Sequence, residues 1–460
     1  MLVLEMTKLT FADIKSALGV DPVINSAAIG AGEIAGFEGV STDSRKINRG
    51  DLFFALSGDR FDGHDFLGRA IDAGAAGVVV SQEFTTNKAA VFKVNDTLKA
   101  LGDLAKAYRN KFNLPCLALT GSNGKTTTKE MLAACASAKY KTFKTVGNFN
   151  NLIGLPLSLF NLDSTYEAAV LELGMSEIGE ITRLAEISSP QFGVFTNIAP
   201  VHLESMGTIE NVAKAKFELV QSLPEDGVVV LNADDRILSS WIGKIRQRVI
   251  TYGIDNDADI KIGSYQESGD GRSTFKIGKL GFTINFPGLH NIYNAACAIA
   301  ASSALAIDMA ALVEPLANMK PVYLRSDIFT ADGVTFINDC YNANPVSMKA
   351  AIDVLAGFPT SGKRVAVLGD MLELGKDEVR YHREIGGYLS QKNIDALLTF
   401  GPLANHYLDT FDGAYKKHFD NKTKLAAAVK DYIQPGDAVL IKGSRGIALE
   451  EVSKLFKGEL

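Results

Sequence analysis

No pair of cysteines in this 460-residue chain stands at C-x-x-C spacing, and there are only four in all: Cys116, Cys135, Cys297 and Cys340. Each falls in an apolar or helical context, so they read as reduced core thiols of a cytoplasmic protein. H-E-x-x-H, G-x-S-x-G and internal repeats are also missing, which leaves the zinc-protease, serine-hydrolase and solenoid classes without their signatures. Long apolar runs are missing too. The nearest, Ala295 to Ala311, is interrupted by Ser302, Ser303 and Asp308, so it reads as a core helix and not as a bilayer span, which needs about 18 residues. Met1 to Lys8 brings charge in too early for a secretory signal. Nor is there an excess of base: 47 Lys plus Arg face 53 Asp plus Glu, a net charge of −6 without a long basic stripe. That balance argues against a nucleic-acid partner and leaves room for local positive patches around small anions.

What is present is core material, 47% hydrophobic residues against 22% charged, in a chain long enough for two to four domains at about 100–200 residues each. The informative stretch is Leu117-Ala118-Leu119-Thr120-Gly121-Ser122-Asn123-Gly124-Lys125-Thr126-Thr127-Thr128. An apolar strand runs into a glycine-punctuated turn, and a helical pattern follows from about Thr127 to Ala138. This is the context of a phosphate-binding loop. Gly121 and Gly124 let the backbone curl so that N–H groups of the turn, including that of Asn123, point inward. Lys125 supplies a point charge for the outer phosphates, Thr126 a hydroxyl for Mg²⁺, and the helix start at Thr127 a favourable dipole. The full G-x-x-x-x-G-K-[ST] pattern has glycine where this chain has Leu119, so the loop is a variant of it. An incidental glycine turn is the competing reading.

Taken in order, the chain alternates short strands and helices up to about residue 84. Ser41 to Arg45 and Gly58 to Phe66 place hydroxyls, carboxylates, Ser44, Arg45 and His64 around an apolar strand at Leu52–Leu56. A polar ligand site and a solvated loop cluster fit these residues equally. A helical connector covers Thr97 to Asn110. Beyond the phosphate loop, Gly147 to Pro156 is rich in amides, with Asn148 and Asn151 suited to a ligand or to a structural turn. The strand Ala168–Gly174 presents Glu172 at its end, where a nucleotide's magnesium is usually held. His202 follows the strand Val194–Ile198 in a loop, a position that carries sites more often than a helix face does. From Ile209 the pattern is helical. Lys214, Lys216 and Glu218 read there as a solvated face or, more sharply, as one lysine turned inward. Period-two alternation at Ile260–Ile262, Thr274–Ile277 and Phe282–Phe286 predicts antiparallel strands extending the middle sheet. Asn291 and Asn294 share a face of the next helix, where amides can read a purine edge. From Met319-Lys320-Pro321 onward, strands at Val334–Asp339, Arg364–Asp370, Ala396–Phe400 and Ala438–Gly446 alternate with helical patterns, as in a doubly wound sheet.

The chain resembles the ATP-dependent Mur ligases of cell-wall precursor synthesis. The residues that carry this are Ser41 to Arg45, Thr120 to Thr127, Gly147 to Asn151, Glu172-Leu173-Gly174, His202-Leu203-Glu204, Ala213 to Lys216, Gly288 to Ala295, Asp339 to Pro345, Gly369 to Gly375 and Lys442 to Arg445, in family order over nearly the whole length. Asp339 to Pro345 and Gly369 to Gly375 favour the branch that adds D-alanyl-D-alanine.

The resemblance implies an α/β protein of three domains. A small α/β N-terminal domain (1–110) would bind the UDP-muramoyl peptide. A central P-loop ATPase-like domain (111–320) would have a mostly parallel sheet, and a C-terminal doubly wound Rossmann-like domain (321–460) would act in ligation. It implies ATP and Mg²⁺, with Thr126, Glu172, His202 and Lys216 as metal ligands, Lys216 being carbamylated to N6-carboxylysine. Lys125, His202 and Lys216 would be catalytic. Asn291 and Asn294 fall on adenine contacts, and Arg325, Asp339, Tyr341 and Asn342 on the interdomain nucleotide side. Ser44, Arg45, His64, Asn148, Asn151, Ser444 and Arg445 fall on the substrate side. The implied partners are UDP-N-acetylmuramoyl-tripeptide and D-alanyl-D-alanine, met by a cytoplasmic monomer without membrane insertion. Many members have Pro-Gly-Arg where this chain has Tyr323-Leu324-Arg325, which keeps the charge and loses the turn. The rivals are a sibling ligase adding one amino acid, a folate-glutamate ligase and a nucleotide-switched protein without ligase chemistry.

Overall fold

The computed structural model describes residues 9–23, 36–58, 61–268, 271–322 and 324–459, and three sheets form among them. Met1 to Lys8, Asp59, Arg60 and Tyr323, which entered the sequence reading, lie outside these residues. The first sheet is parallel and in sequence order: β1 (Gly39–Ser41), β2 (Asp51–Phe54), β3 (Gly77–Val80) and β4 (Ala90–Lys93).

The middle sheet holds β5 (Cys116–Thr120), β6 (Thr142–Lys144), β7 (Ala168–Glu172), β8 (Phe192–Phe195), β9 (Val228–Asn232), β10 (Arg248–Gly253), β11 (Ile260–Glu267), β12 (Ser273–Ile277) and β13 (Leu280–Ile284), in the order β13-β12-β11-β10-β9-β8-β5-β7-β6. Strands β5 to β10 are mutually parallel where they pair, and β5 lies between β7 and β8. The chain therefore leaves β5 toward one side of the sheet and later crosses to the other. Ligands bind at such a reversal, at the carboxyl ends of the strands. The extension predicted from alternation is present with one difference. Strands β11, β12 and β13 are antiparallel to one another, whereas β11 first runs parallel to β10, pairing Ile260 with Tyr252.

Strand β5 reads as a continuous apolar run because both of its faces are covered. On one face, Cys116 and Ala118 share a core with Leu101 and Leu104 of the helix Thr97–Arg109. On the other, Leu117 and Leu119 pack with Met131, Ala295 and Ile299. That second face joins the helix after the phosphate loop, Lys125–Ala136, to the helix Leu289–Ala304. The run Ala295–Ala311 is thus a core helix up to Ala304, and no described helix is long and apolar enough to cross a membrane. All four cysteines are free and buried.

The last sheet comprises β14 (Asp327–Ala331), β15 (Val334–Asn338), β16 (Arg364–Gly369), β17 (Ala396–Phe400), β18 (Tyr415–Phe419) and β19 (Ala438–Lys442), ordered β14-β15-β19-β16-β17-β18. Only β14 is antiparallel to its neighbour. The loop leaving β16 is tied down by buried polar groups. Asp370 Oδ1 accepts the N–H groups of Leu403 and Ala404 at 3.1 and 2.6 Å. The N–H of Met371 donates to His382 Nε2 at 3.0 Å, while Nδ1 of the same ring donates to the carbonyl of Glu378 at 2.7 Å. His382 is fully buried, and burial pushes its imidazole from 6.5 down to about 4.

The unfolded chain thus binds a proton in a range where the folded chain does not, so stability rises with pH there. His382 is expected to contribute fully above about pH 6.5 and to lose that contribution as the pH falls toward about 4, near 2 kcal/mol at pH 5. Urea unfolding of the last domain at pH 7.5 and pH 5 measures this. A His382→Gln variant with the same pH slope as the parent would assign the slope to other groups.

Candidate active site

Strands β5, β7, β8 and β9 end on one edge, and the loops leaving them meet the strand ends of the last sheet around a cavity of about 530 Å³. The phosphate loop forms its floor. Gly121 has φ +155° and Gly124 φ +78°; a Cβ at Gly121 would lie 1.8 Å from Thr196 Oγ1, and one at Gly124 2.2 Å from Asn294 Oδ1. Only glycine permits that approach. The loop is then pinned by the segment after β8: Ser122 N–H donates to the Asn197 carbonyl at 2.8 Å, Asn123 N–H to Asn197 Oδ1 at 3.0 Å, and Thr196 Oγ1 to the Asn123 carbonyl at 2.6 Å.

Lys125 Nζ donates to the carbonyls of Gly121 and Ser122 at 2.9 and 3.3 Å, so its charge sits inside the loop. Burial lowers its pKa, with the Glu172 carboxylate opposing and the Arg325 charge adding to the effect. Glu172 ends β7. Its Oε1 accepts from Asn150 Nδ2 at 2.7 Å, while its Oε2 is buried without a hydrogen-bond partner. A buried carboxylate oxygen in this state is costly unless something positive meets it. Thr126 Oγ1 accepts from Arg325 Nη2 at 3.0 Å, and the Arg325 guanidinium lies 3.9 Å from the Tyr341 ring centre.

Of the helix trio, Lys214 is exposed, whereas Lys216 and Glu218 are buried. The solvated-face reading therefore fails for the latter two. The Lys216 ammonium is pushed well below the ordinary lysine range by burial and then by the charge of Lys125. Glu218 turns away to bind the N–H groups of Gly179 and Thr182 at 2.8 and 3.0 Å.

The cavity brings together Asn123, Gly124, Lys125, Thr127, Asn151, Glu172, His202, Asn291, Asn294, Arg325, Asp339, Tyr341 and Asn342. Asn291 and Asn294 line it with amides already linked: Asn294 Oδ1 accepts from Thr128, its Nδ2 donates to Asn291 Oδ1, and Asn291 Nδ2 donates to the Pro287 carbonyl. Asn151 Oδ1 accepts the N–H groups of Ile153 and Gly154 where the helix Gly154–Leu159 starts, and Asn148 is an exposed loop residue. Asp339 Oδ2 is 2.5 Å from Lys442 Nζ.

Gly121, Thr126, Asn148, Lys216, Ser444, Arg445, Ser44, Arg45 and His64 lie outside the cavity lining. The Ser444 hydroxyl ties two strand-end loops, accepting from Leu372 N–H at 2.9 Å and donating to the Ala343 carbonyl at 3.3 Å. Arg445 pairs with Glu450 at 2.6 Å, and Arg45 pairs with Asp43 at 2.8 Å. Ser44 is buried, and both nitrogens of His64 are engaged, Nδ1 with Asp62 at 2.6 Å and Nε2 with Ser81 N–H at 3.0 Å.

Sequence reasoning missed Asn150, Asn197, Asn344, Glu373 and Lys442 as individual site residues. Asn150, Asn344 and Lys442 lie one or two positions from a residue it did pick, Asn197 lies five from His202, and Glu373 falls inside the stretch Gly369 to Gly375 that carries the resemblance. Asn344 Nδ2 donates to Asn123 Oδ1 at 2.6 Å across the two domains, and His202 Nδ1 lies 2.6 Å from Glu373 Oε2. Position at the ends of parallel strands is the physical signal that singles them out within those stretches.

Residues 36–109 match the Mur ligase family, catalytic domain, residues 119–302 the Mur ligase middle domain, and residues 324–445 the Mur ligase, glutamate ligase domain. The UDP-N-acetylmuramoyl-tripeptide–D-alanyl-D-alanine ligase of Bacillus subtilis (strain 168) is 40% identical, over 90% of this chain and 92% of its own. A crystal structure of MurF from Acinetobacter baumannii superposes with a TM-score of 0.91 at 28% identity, over 99% of this chain and 100% of that one. The MurF ligase of Thermotoga maritima in complex with ADP gives a TM-score of 0.82 at 30% identity, over 92% and 97%.

Placing a side chain at Gly124 forces the loop away from Asn294. Left-handed backbone costs alanine about 1–2 kcal/mol before any clash is counted, so Gly124→Ala is expected to weaken ATP binding at least about tenfold. Calorimetric titration with ATP, on protein whose unfolding midpoint matches the parent, measures it. Unchanged affinity would mean that the loop does not hold the nucleotide in this form.

Proposed function

The chain belongs to the Mur ligase family, and from that premise and the cavity we infer that it is an ATP-dependent carboxylate–amine ligase of peptidoglycan synthesis. It joins D-alanyl-D-alanine to the terminal carboxylate of UDP-N-acetylmuramoyl-tripeptide, giving UDP-N-acetylmuramoyl-pentapeptide, ADP and phosphate. The observation that carries the reading on this chain is the meeting of the phosphate loop, Asn123 to Lys125, with Arg325, Asp339 and Tyr341 of the last domain around one cavity. A nucleotide held by the first set has its outer phosphates facing the second.

A carboxylate is a poor electrophile at neutral pH, so it must first be activated. Its oxygen attacks the γ-phosphorus of ATP, the bond from that phosphorus to the β-phosphate oxygen breaks, and an acyl phosphate and ADP result. Lys125, fixed by two loop carbonyls, faces the phosphoryl oxygens as their charge grows. The amine of D-alanyl-D-alanine then adds to the acyl carbon. The tetrahedral intermediate expels phosphate, and the amine proton is lost. Closure of the last domain over the middle one keeps water from the acyl phosphate, whose hydrolysis would consume ATP without forming the amide.

Magnesium fits the residues present. The orphaned Glu172 Oε2 and the Thr126 hydroxyl would hold it, and once bound it offsets charge on the phosphoryl oxygens. We assign His202 and Lys216 to a second magnesium, with Lys216 as N6-carboxylysine. Supporting this, burial raises the neutral fraction of the Lys216 amine, the form that adds to carbon dioxide with loss of a proton. We assign Asn291 and Asn294 to the adenine end, and Arg325, Asp339, Tyr341 and Asn342 to the nucleotide's interdomain side. Residues 1–110, with Ser44, Arg45 and His64, take the UDP-muramoyl end. Residues 111–320 bind ATP. Residues 321–460, with Ser444 and Arg445, meet the incoming dipeptide, while Asn148 and Asn151 lie on the peptide side. We take the chain to act as a monomer, and the free buried thiols support a cytoplasmic setting.

Phosphate release is expected only when Mg-ATP, a UDP-muramoyl tripeptide and D-alanyl-D-alanine are all present, with product mass rising by one dipeptide less one water. Running lysine and diaminopimelate tripeptides side by side reads acceptor preference. A product formed only with a single amino acid, or release with no acceptor requirement, would defeat the assignment. Lys125→Ala is expected to lower turnover by about 10²–10³-fold.

A further inference from the structure

His202 and Glu373 come from different domains and meet with their backbones in the same unusual state. His202, in the loop after β8, has φ +53°, and Glu373, in the loop after β16, has φ +63°; neither is glycine. Two such conformations in contact persist only where the surroundings impose them. Here the Glu204 N–H donates to the Glu373 carbonyl at 3.2 Å, which sets the two loops against each other. The Glu373 carboxylate then lies 2.6 Å from His202 Nδ1. The two side chains are 27% and 56% exposed, and a pair so accessible adds little to stability. Its consequence is orientation. With Nδ1 hydrogen-bonded to the carboxylate, the orientation of the imidazole is set, and His202 lines the cavity.

We propose that Glu373 is a positioning residue for the ligation reaction. Contributed by the last domain, it fixes the orientation of the His202 ring, so that Nε2 is offered to the cavity only when the last domain is docked on the middle one. The loop that carries Glu373 is held by Asp370, His382 and Ser444, so docking presents the carboxylate in a set position. In this arrangement a ligand of the middle domain is completed by a residue that arrives with closure. ATP bound before closure then meets an unfinished site, which delays phosphoryl transfer until the water-excluding contact is made.

The proposal rests on the assignment of His202 as a metal ligand, and the test separates the two. Full-length parent, Glu373→Ala, Glu373→Gln, His202→Ala and the double variant His202→Ala/Glu373→Ala are compared by turnover and by Mn²⁺ affinity in ADP-loaded protein, read by electron paramagnetic resonance. Unfolding midpoints and ADP affinity serve as the check on folding. Loss of a hydrogen-bond partner of a metal-ligating histidine typically costs about 10–100-fold, so Glu373→Ala is expected to lose that much in turnover and in Mn²⁺ affinity. KM for ATP should stay within about twofold, because the change is made away from nucleotide binding. Glu373→Gln, which keeps an acceptor oxygen, should recover part of the loss. In the His202→Ala background Glu373→Ala should cost nothing further, a result that a purely structural role would not give. If His202→Ala itself leaves Mn²⁺ affinity and turnover unchanged, the ligand assignment fails. If His202→Ala lowers both while Glu373→Ala lowers neither, or costs the same in both backgrounds, the ligand assignment stands and the positioning role is overturned.

Discussion

The structure depends on a close approach that only hydrogen atoms allow. At Gly121 and Gly124 the phosphate loop comes so near to Thr196 and Asn294 that no β-carbon fits. That contact sets the height of the loop above the sheet, and with it the position of Lys125. It also joins three pieces of chain distant in sequence: the end of β5, the segment after β8 and the helix Leu289–Ala304. The core beneath them, in which Leu117, Leu119, Met131 and Ala295 are fully buried, holds β5 and the helices Lys125–Ala136 and Leu289–Ala304 together. Packing and hydrogen bonding thus act on one joint, and the site inherits its rigidity from that joint.

Above this floor the last domain contributes through side chains. Arg325 reaches Thr126, Asn344 reaches Asn123 and Glu373 reaches His202, each across the domain boundary. None of these contacts buries a large apolar surface, and partly exposed polar pairs are individually weak. A cover held in this way can open for substrates and close again, which a two-step reaction with a water-sensitive intermediate requires. Stronger fastenings lie within domains, as where the buried Lys129 donates to the carbonyls of Thr145 and Gly147.

Much of the fold was legible in the chain. Buried parallel strands appear as unbroken apolar runs, and those at Cys116–Thr120, Val228–Asn232 and Ala438–Lys442 lie where the runs do. The edge strands Asp327–Ala331 and Tyr415–Phe419 were not legible, because an edge is half solvated and its pattern is diluted by charge, as in Tyr415-Lys416-Lys417-His418. Of the site, the phosphate loop was read directly, since its glycines and lysine are contiguous and answer to one local geometry. Lys216 was not separable from Lys214 and Glu218 by spacing. Neighbours two apart on a helix differ in direction, but which direction is inward depends on what packs against the helix.

By itself, then, the sequence determined the elements, their order and the phosphate loop, because hydrophobic period and turn chemistry act over a few residues at a time. It also marked which loops carry polar residues at strand ends. The tertiary structure alone decided which of those residues meet. Asn150 with Glu172, Asn344 with Asn123 and Glu373 with His202 are separated by 22, 221 and 171 positions, and their pairing follows from strand order and domain docking. It also decided that Lys216 is buried and that Glu172 keeps one oxygen unpartnered. Burial is a property of the whole packed molecule, and so the charge states on which the chemistry depends are set only once the chain has folded.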